Sequence, residues 1–374
     1  MIKRELFSEE HDAFRDMVRK FIENEIAPHL AAWERDGIVS RDLWLKTGAA
    51  GMLCCTIPEE YGGAGADYLF DVVVFEEMAR SGYTAPGFMV HCDLVATYVK
   101  SFGTEAQKKR WLPRIAQGQA IGCFALSEGP RVATPGNVSV RAGGGRISGA
   151  KVPVLDGDVA DFAVVVARAS DDGDRGLSLF LVDLADPGVS RTPVSTIDPT
   201  RSHGRLVFAD APAEPLGAPG EGWPLVERLL DRAAVLVAFE QVGGAQAALD
   251  MARDYAVGRF AFGRPIASFQ AIKHKLADMY VGVELARSNA YYGAWALSKD
   301  APELPVAAAA ARVAATEAYF HAAKENIQTH GGMGFTWEFD CHLHYRRAKL
   351  TGLMLGSARR WKDLLIARLE ARAA

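Results

Sequence analysis

The 374-residue sequence lacks the features that mark secreted, zinc-binding, membrane-spanning and nucleic-acid-binding proteins. Its five cysteines form neither a Cys-x-x-Cys pair nor a cysteine–histidine cluster at zinc spacing, and lie at Cys54, Cys55, Cys92, Cys123 and Cys341. No stretch reaches the roughly 18 apolar residues of a membrane helix, and no apolar signal core follows the charged start of the chain. The net charge of −4 comes without a dense run of Lys or Arg. We therefore expect a cytoplasmic protein with reduced thiols and with no metal centre, membrane anchor or nucleic-acid partner.

What the sequence does contain is the composition of a folded chain that is too long for a single hydrophobic core. With 49% hydrophobic and 24% charged residues, and no internal repeat or low-complexity tail, it predicts two or three packed modules. The pattern of apolar residues changes twice along the chain. We predict an N-terminal helical domain at residues 1–118, a central β domain at 119–218 and a C-terminal helical bundle at 219–374.

Caps, turns and hydrophobic periods are the local signals behind these three segments. In the first, Ser8 precedes a run with helical spacing, and Thr104 and Gln107 form a capping box. In the second, short Val-rich runs alternate with Gly- and Asp-rich turn clusters, which predicts antiparallel strands. The third contains three long amphipathic stretches, with Pro302 and Pro305 expected in a connecting loop.

Four sequence motifs follow one another in the order and spacing of a known family. They are residues 57–65 (Ile-Pro-Glu-Glu-Tyr-Gly-Gly-Ala-Gly) with 75–80, residues 123–128 (Cys-Phe-Ala-Leu-Ser-Glu), residues 259–266 (Arg-Phe-Ala-Phe-Gly-Arg-Pro-Ile) with 269–273, and residues 328–335 (Gln-Thr-His-Gly-Gly-Met-Gly-Phe). Each motif alone is weak, but together they resemble the acyl-CoA dehydrogenase family over essentially the whole chain. The resemblance implies an α+β fold with an N-terminal helical domain, a central antiparallel β domain and a C-terminal four-helix bundle. It also implies FAD as the cofactor, an acyl-CoA thioester as the substrate, and a homo- or hetero-oligomer (a dimer or a dimer of dimers) with a related acyl-CoA dehydrogenase subunit as the assembled form.

In that family, residues of the third and fourth motifs reach across a subunit interface and hold the FAD of the neighbouring subunit. The corresponding residues here, the trans set, are Arg259, Phe262, Gln270, Gln328, Gly331 and Gly332. An arginine fork can pair with pyrophosphate oxygens, and glycine lets the backbone approach phosphates closely. Taken alone, Arg259 is better explained as a solvated helix-end charge and Gly331-Gly332 as a helix C-cap. The order of the motifs favours the cofactor role.

The contacts that the family makes to FAD within one subunit, the cis set, are less complete. Phe124, Leu126 and Ser127 remain as flavin neighbours, but the Gly-Ser-Asp of the family is absent from the loop that follows. On the strand that flanks the flavin ring, relatives place an aromatic residue where Pro153 stands and a hydroxyl residue where Leu155 stands. Leucine cannot hydrogen-bond the N5 edge of a flavin, and proline removes a backbone donor.

The catalytic base is missing as well. Most relatives carry Glu-Gly-Thr where this chain has Leu355-Gly356-Ser357, and that glutamate removes the α-proton while the flavin takes the β-hydride. Leucine has no acid–base chemistry at any pH. The alternative base position, on the first long C-terminal helix, falls at Ala233. Glu240 lies one heptad beyond it, about 10 Å along the helix axis, and is the remaining candidate for a substitute base, although a paired interface or core-edge carboxylate explains it better.

The histidines add neither a base nor a metal site. His330 and His342 carry side chains that titrate near neutral pH, yet both positions are predicted to be structural. The spacing of His342 and His344 suits strand-like metal ligands, but a helix start is expected there and no third ligand is evident.

Four functions stay open at this point. The first is a subunit of a hetero-oligomeric acyl-CoA dehydrogenase that supplies trans FAD contacts to a related catalytic chain. The second is a self-sufficient flavoenzyme of the same fold, such as a flavin monooxygenase, which needs no glutamate. The third is a non-catalytic acyl-CoA-binding protein without flavin, and the fourth is a dehydrogenase with an unrecognised base. Loss of the cis set together with retention of the trans set favours the first.

Overall fold

Helices flank a central run of strands in the computed structural model, which describes residues 6–83 and 87–373. The helices are α1 (Glu9–Phe21), α2 (Leu30–Asp36), α3 (Arg41–Ala49), α4 (Tyr68–Arg80), α5 (Ala96–Phe102), α6 (Glu105–Ala116), α7 (Gly222–Gly258), α8 (Gln270–Ser298), α9 (Leu304–His330), α10 (Cys341–Leu353) and α11 (Ala358–Ala373). The strands are β1 (Gly122–Ala125), β2 (Arg141–Gly143), β3 (Arg146–Leu155), β4 (Phe162–Arg168), β5 (Leu177–Asp183), β6 (Val189–Pro193), β7 (His203–Pro212), β8 (Glu214–Leu216), β9 (Phe260–Ala261) and β10 (Arg264–Pro265). This order confirms the predicted fold class.

Packing divides the chain into two units. The helical unit comprises Met1–Leu30, Val72–Thr84 and Ala234–Ala374, and the sheet unit comprises Ala31–Asp71 and Ala85–Ala233. The predicted domain limits at residues 118 and 218 stay predictions, because these units are defined by packing and not by sequence segment. The predicted caps are confirmed: Ser8 precedes α1, and Thr104 and Gln107 form a capping box at the start of α6.

The sheet unit is built on one sheet with the strand order β6-β7-β3-β2-β4-β5-β8, in which β1 also pairs with β4. Residues 162–167 of β4 are all buried, as an uninterrupted Val-rich run predicts for a strand covered on both faces. The predicted antiparallel arrangement is confirmed for most pairs but is wrong for two. β1 runs parallel to β4, with Gly122 opposite Phe162, and β2 is also parallel to β4. Both pairs are separated in the chain by β3, and this longer connection permits a parallel pair where a tight hairpin would not.

The His91 side chain connects helices of the sheet unit to this sheet by hydrogen bonds. It lies on a π-helical turn, Val90–Val95, and is completely buried. Its Nδ1 accepts a hydrogen bond from the backbone N–H of Gly122 at 3.0 Å, and its Nε2 lies 3.2 Å from the carbonyl oxygen of Ile115. The neutral ring with its proton on Nε2 satisfies both backbone groups at once.

The helical unit contains α8, α9 and the part of α7 from Ala234 onward, and these are the three long helices that the sequence predicts. Its core consists largely of alanine from α7 and α9, with Met279 and Val283 of α8 and Tyr319 of α9. Small side chains let these helices approach closely. One detail of the prediction is wrong: Pro302 lies in the connection, but Pro305 lies in the first turn of α9, where a missing N–H costs no helical hydrogen bond.

Replacing His91 is expected to remove a pH-dependent part of the stability. Burial lowers the pKa of His91 from 6.5 to about 4. Because the folded pKa is the lower one, the contribution of the neutral ring is complete above pH 6.5 and is lost as the pH falls toward 4. The difference in unfolding free energy between the wild type and His91→Gln should therefore grow by about 2–3 kcal/mol as the pH rises from 4 to 6.5, measured by urea titration. A difference that does not vary with pH would contradict this assignment.

Candidate functional site

The six residues of the trans set share one property, which is exposure to solvent: Arg259, Phe262, Gln270, Gln328, Gly331 and Gly332. They lie on two segments of the helical unit. One segment runs from the end of α7 through the hairpin β9–β10 to the start of α8, and the other is the end of α9 with the 3₁₀ turn that follows it. An exposed cation and exposed amides on the surface are free to meet a polar ligand.

The hairpin holds Phe262 in a backbone conformation that is costly for its side chain. Phe262 has φ +53° and is 95% exposed. A left-handed backbone costs a residue other than glycine about 1–2 kcal/mol, and full exposure gives up the burial that a phenylalanine ring would contribute. The ring touches Phe269 edge-on at 6.2 Å between centroids, and Arg264 lies 4.2 Å from the centroid of Phe269. An exposed, strained aromatic residue points to a role in binding.

Tyr255 joins the two segments. The backbone N–H of Arg259 donates to the carbonyl oxygen of Tyr255 at 2.8 Å, and the Tyr255 ring stacks on His330 at 4.0 Å between centroids. His330 Nδ1 lies 2.9 Å from the carbonyl oxygen of Asn326, and burial lowers the pKa of its ring. His330 therefore has a structural role, as predicted, and it brings Arg259 close to the end of α9.

The end of α9 presents backbone without side chains. Gly331 has φ 63° and ψ −137°, a combination that is accessible to glycine. A Cβ added at Gly331 or Gly332 would meet no described atom within 4 Å, so the backbone faces open space. Beside an exposed arginine and an exposed phenylalanine, such a surface fits a ligand with phosphate groups and a flat ring system, which is what FAD offers.

The cis set is more buried than the trans set. The ring of Phe124 is buried and stacks on Tyr98 at 5.3 Å between centroids, while Leu126 and Ser127 are half-buried. Their carbonyl oxygens are already engaged: that of Leu126 accepts from Lys151 Nζ at 3.0 Å, and that of Ser127 accepts from a backbone N–H at 2.8 Å. The structure brings the three residues together on one segment, but the Phe124 ring is part of the core.

A buried ion pair orders the loop that follows the cis set. Lys151 Nζ lies 2.7 Å from a carboxylate oxygen of Glu128, which also accepts hydrogen bonds from Ser139 and from the backbone N–H of Val140. Burial lowers the pKa of Lys151 to about 8, against the opposing effect of Glu128. This network occupies the stretch in which the family has its Gly-Ser-Asp.

The two positions at which the sequence comparison predicts a base, 355 and 233, carry apolar residues. Leu355 is half-buried in the turn between α10 and α11, with φ +59°. Ala233 is completely buried within α7. Phe262 and Leu355 are the two large apolar residues with positive φ among the described residues, and both coincide with candidate site positions.

Glu240 is part of a buried ion pair. Its carboxylate lies 3.5 Å from the guanidinium of Arg347, and the two side chains are 5% and 4% exposed. A carboxylate held in this way is explained as a structural group.

A cluster of charged residues lies beside Ala233, and the sequence alone does not reveal it. Arg232 donates from Nε to Asp93, and its guanidinium lies 4.4 Å from the centroid of the Tyr68 ring. Burial raises the pKa of nearby Asp71 to about 6. A single acid within the apolar run 68–75 is the signal that could have indicated a buried charge. The cluster ties the start of α7 to the π-helical turn within the sheet unit.

Within residues 6–83 and 87–373, no group of three or more His, Cys, Asp or Glu side chains is arranged to hold a metal ion. None of the helices in that part of the chain is long and apolar enough to cross a bilayer.

Exchanging Glu240 is expected to lower stability. Glu240→Gln removes the carboxylate charge that lies beside the buried Arg347, which should reduce the free energy of unfolding by about 3 kcal/mol, measured by urea titration. The matched control is Glu317→Gln, which removes an exposed partner of Lys362 in the same unit and should cost less than about 1 kcal/mol. If Glu240→Gln were as stable as the wild type, the structural role of Glu240 would be wrong.

Comparison with known proteins agrees with this architecture. The models of the acyl-CoA dehydrogenase N-terminal and C-terminal domains match residues 8–119 and 220–369. The mitochondrial long-chain specific acyl-CoA dehydrogenase of Sus scrofa is 33% identical, over 97% of this chain and 87% of that protein. The mitochondrial short-chain specific enzyme of Homo sapiens is 34% identical, over 94% of this chain and 87% of that protein. The crystal structure of an acyl-CoA dehydrogenase from Geobacillus kaustophilus has a TM-score of 0.94 and 29% identity, and the match covers 98% of this chain and 100% of that one. The chain belongs to the acyl-CoA dehydrogenase family.

Proposed function

We propose that this chain is a subunit of a hetero-oligomeric acyl-CoA dehydrogenase and that it helps to hold a flavin whose chemistry is completed by a related chain. The observation that carries the proposal is the contrast between two sets of residues. The trans set is complete and exposed, whereas Leu355 and Ala233 put apolar side chains at both base positions. A partner with an intact Glu-Gly-Thr would supply the base.

In this proposal, FAD bound at the shared site would supply the acceptor for the β-hydride of an acyl-CoA thioester. The residues of this chain bind and orient. The guanidinium of Arg259 pairs with the pyrophosphate, and Gln270 and Gln328 hydrogen-bond the cofactor. The Phe262 ring covers an apolar part of it, and Gly331 with Gly332 lets the backbone come close to the phosphates.

An exposed apolar face on α8 supports an assembled form. Val281, Leu285, Tyr292 and Trp295 are 54%, 61%, 44% and 41% exposed and lie on one side of the helix. The hairpin before α8 adds Phe260, which is 63% exposed. Several exposed apolar side chains on one helix face, in the unit that carries the trans set, are typical of a subunit interface. The occupant that we propose is a related acyl-CoA dehydrogenase chain.

The flavin content of the purified protein tests this function. The chain alone should carry little flavin, because its cis set is incomplete. Co-expressed with a related chain that retains Glu-Gly-Thr, it should yield a complex with stoichiometric flavin, measured by absorbance, and butyryl-CoA or palmitoyl-CoA should bleach that flavin. Stoichiometric flavin in the chain alone would instead favour a self-sufficient flavoenzyme, and no flavin in either preparation would favour a non-catalytic acyl-CoA-binding protein.

Variants of the trans set test which of its residues contact the flavin cofactor. Phe262→Ala and Arg259→Met should each lower the flavin content of the complex at least tenfold, while the stability of the chain changes by no more than about 0.5 kcal/mol because both residues are exposed. Ile366→Ala is the matched control, since it removes a 56% exposed apolar side chain from α11. Equal flavin loss in all three variants would show a general effect on assembly and not a cofactor contact.

Restoring the base alone is expected to fail. Leu355→Glu should give no acyl-CoA-dependent bleaching in the chain alone, because a proton acceptor is useless without a flavin that takes the hydride. The measurement is bleaching of added FAD by palmitoyl-CoA under anaerobic conditions. Substantial turnover by this single variant would show that the cis set is sufficient and would rule out the division of labour.

A further inference from the structure

The turn that carries Leu355 is held by a buried arginine. Arg312 lies in the N-terminal third of α9, within an alanine-rich stretch, and is 1% exposed. One of its terminal nitrogens donates to the carbonyl oxygens of Thr351 and Met354, the latter at 2.9 Å. These carbonyls lie at the C-terminal end of α10, where backbone acceptors lose their helical partners. The guanidinium thus caps the C-terminal end of α10 and hydrogen-bonds the residue directly before Leu355.

The other terminal nitrogen of Arg312 fixes the guanidinium from the opposite side. It donates to the side-chain oxygen of Gln241 at 2.8 Å and to the Thr316 hydroxyl, and Gln241 in turn donates to the Thr351 hydroxyl at 3.3 Å. Every group in this network belongs to the helical unit. Two helices, α7 and α9, therefore set the position of one guanidinium, and that guanidinium sets the turn.

Two unfavourable features meet at this place. Burying a guanidinium costs desolvation free energy, and that desolvation lowers the pKa of Arg312 to about 9. Its Nε has no hydrogen-bond partner among the described residues. Leu355 holds a left-handed backbone that a leucine side chain disfavours, and Gly356 follows with φ +108°. Such features persist where the surroundings dictate one conformation, and they concentrate at functional positions.

We propose that Arg312 is a positioning residue that locks residues 351–356, so that Leu355 presents a rigid, unreactive apolar wall to the bound acyl thioester. The proposal rests on the proposed function, since only membership of the family makes position 355 one that faces the ligand. It adds that the turn is maintained for binding although its acid–base role is gone. Leucine then excludes water at the place where a carboxylate would take a proton.

Local hydrogen exchange tests the anchoring without reference to any ligand. The backbone N–H of Met354 donates to Leu350, and that of Gly356 donates to Leu353, both at 3.1 Å, so their exchange reports opening of the turn. In Arg312→Lys, which keeps the charge but cannot span both carbonyls and Gln241, exchange in residues 351–357 should accelerate at least tenfold. Exchange in the buried part of α8 should change less than twofold, measured by mass spectrometry on the full chain.

Thr316→Val is the matched control, because it removes a hydroxyl from the same network and leaves both carbonyl contacts of Arg312 in place. It should leave exchange in 351–357 within twofold of the wild type. Acceleration spread evenly over the helical unit, or none at all, overturns the anchoring role. If Arg312→Lys does not fold, Gln241→Leu, which removes one support of the guanidinium, serves in its place with the same expected pattern.

Binding of thioesters tests the second part of the proposal, that Leu355 presents an apolar wall to the acyl thioester. With the chain in its flavin-containing complex, Arg312→Lys and Leu355→Ala should each weaken binding of palmitoyl-CoA and butyryl-CoA on the order of tenfold, while the affinity for CoA itself stays unchanged in calorimetric titrations. Wild-type affinity in a variant whose turn exchanges fast overturns the proposal. If no flavin-containing complex forms, the proposed function fails and the ligand role falls with it, whereas the exchange experiment still decides whether Arg312 anchors the turn.

Discussion

The geometry of the helical unit depends on how closely α7 approaches its neighbours. A Cβ at Gly243 would lie 2.3 Å from the carbonyl oxygen of Glu76 in α4, and one at Gly244 would lie 2.5 Å from the ring of Tyr319 in α9. Neither position tolerates a side chain, so these glycines fix the depth at which the helices pack. Tyr255 stacks on His330 eleven residues further along both helices. At a rise of 1.5 Å per residue, this contact lies about 16 Å along the helix axes from the contact of Gly244 with Tyr319. The close approach at one end therefore helps to determine that Tyr255 and His330 stack at the other, next to the segments that carry Arg259 and Gly331.

The same packing explains the division between buried and exposed charges. Glu240, Arg347 and Arg312 lie inside the helical unit, where each is matched to a partner or to backbone carbonyls. Arg259, by contrast, is exposed at a helix end. Buried charges without partners are costly, so those inside must serve the fold. A charge on the surface is free to serve a ligand, and this difference separates structural residues from those proposed for FAD.

An apolar residue at position 355, in a turn that remains capped, is consistent with the shared catalysis that we propose. The backbone at position 355 remains strained and capped, and the hairpin keeps Phe262 strained and exposed. If the site had no remaining use, replacement of Leu355 or Phe262 by residues that relieve the strain would stabilise the chain at no functional cost. Retention of both features fits a subunit whose role is to hold cofactor and substrate while a partner provides the proton acceptor.

The sequence by itself determined the family, the order of helices and strands, the caps at Ser8 and Thr104, and the absence of a carboxylate at positions 233 and 355. These follow from local periodicity, turn chemistry and residue identity, which neighbours along the chain decide. It did not determine the parallel pairing of β1 with β4, the place of Pro305 in α9, or the pairing of Glu240 with Arg347. Nor could it show that Phe124 is buried against Tyr98 while Phe262 stands in solvent. Those outcomes depend on which distant segments share a core, because burial and partner choice are properties of the packed structure and not of any local stretch of sequence.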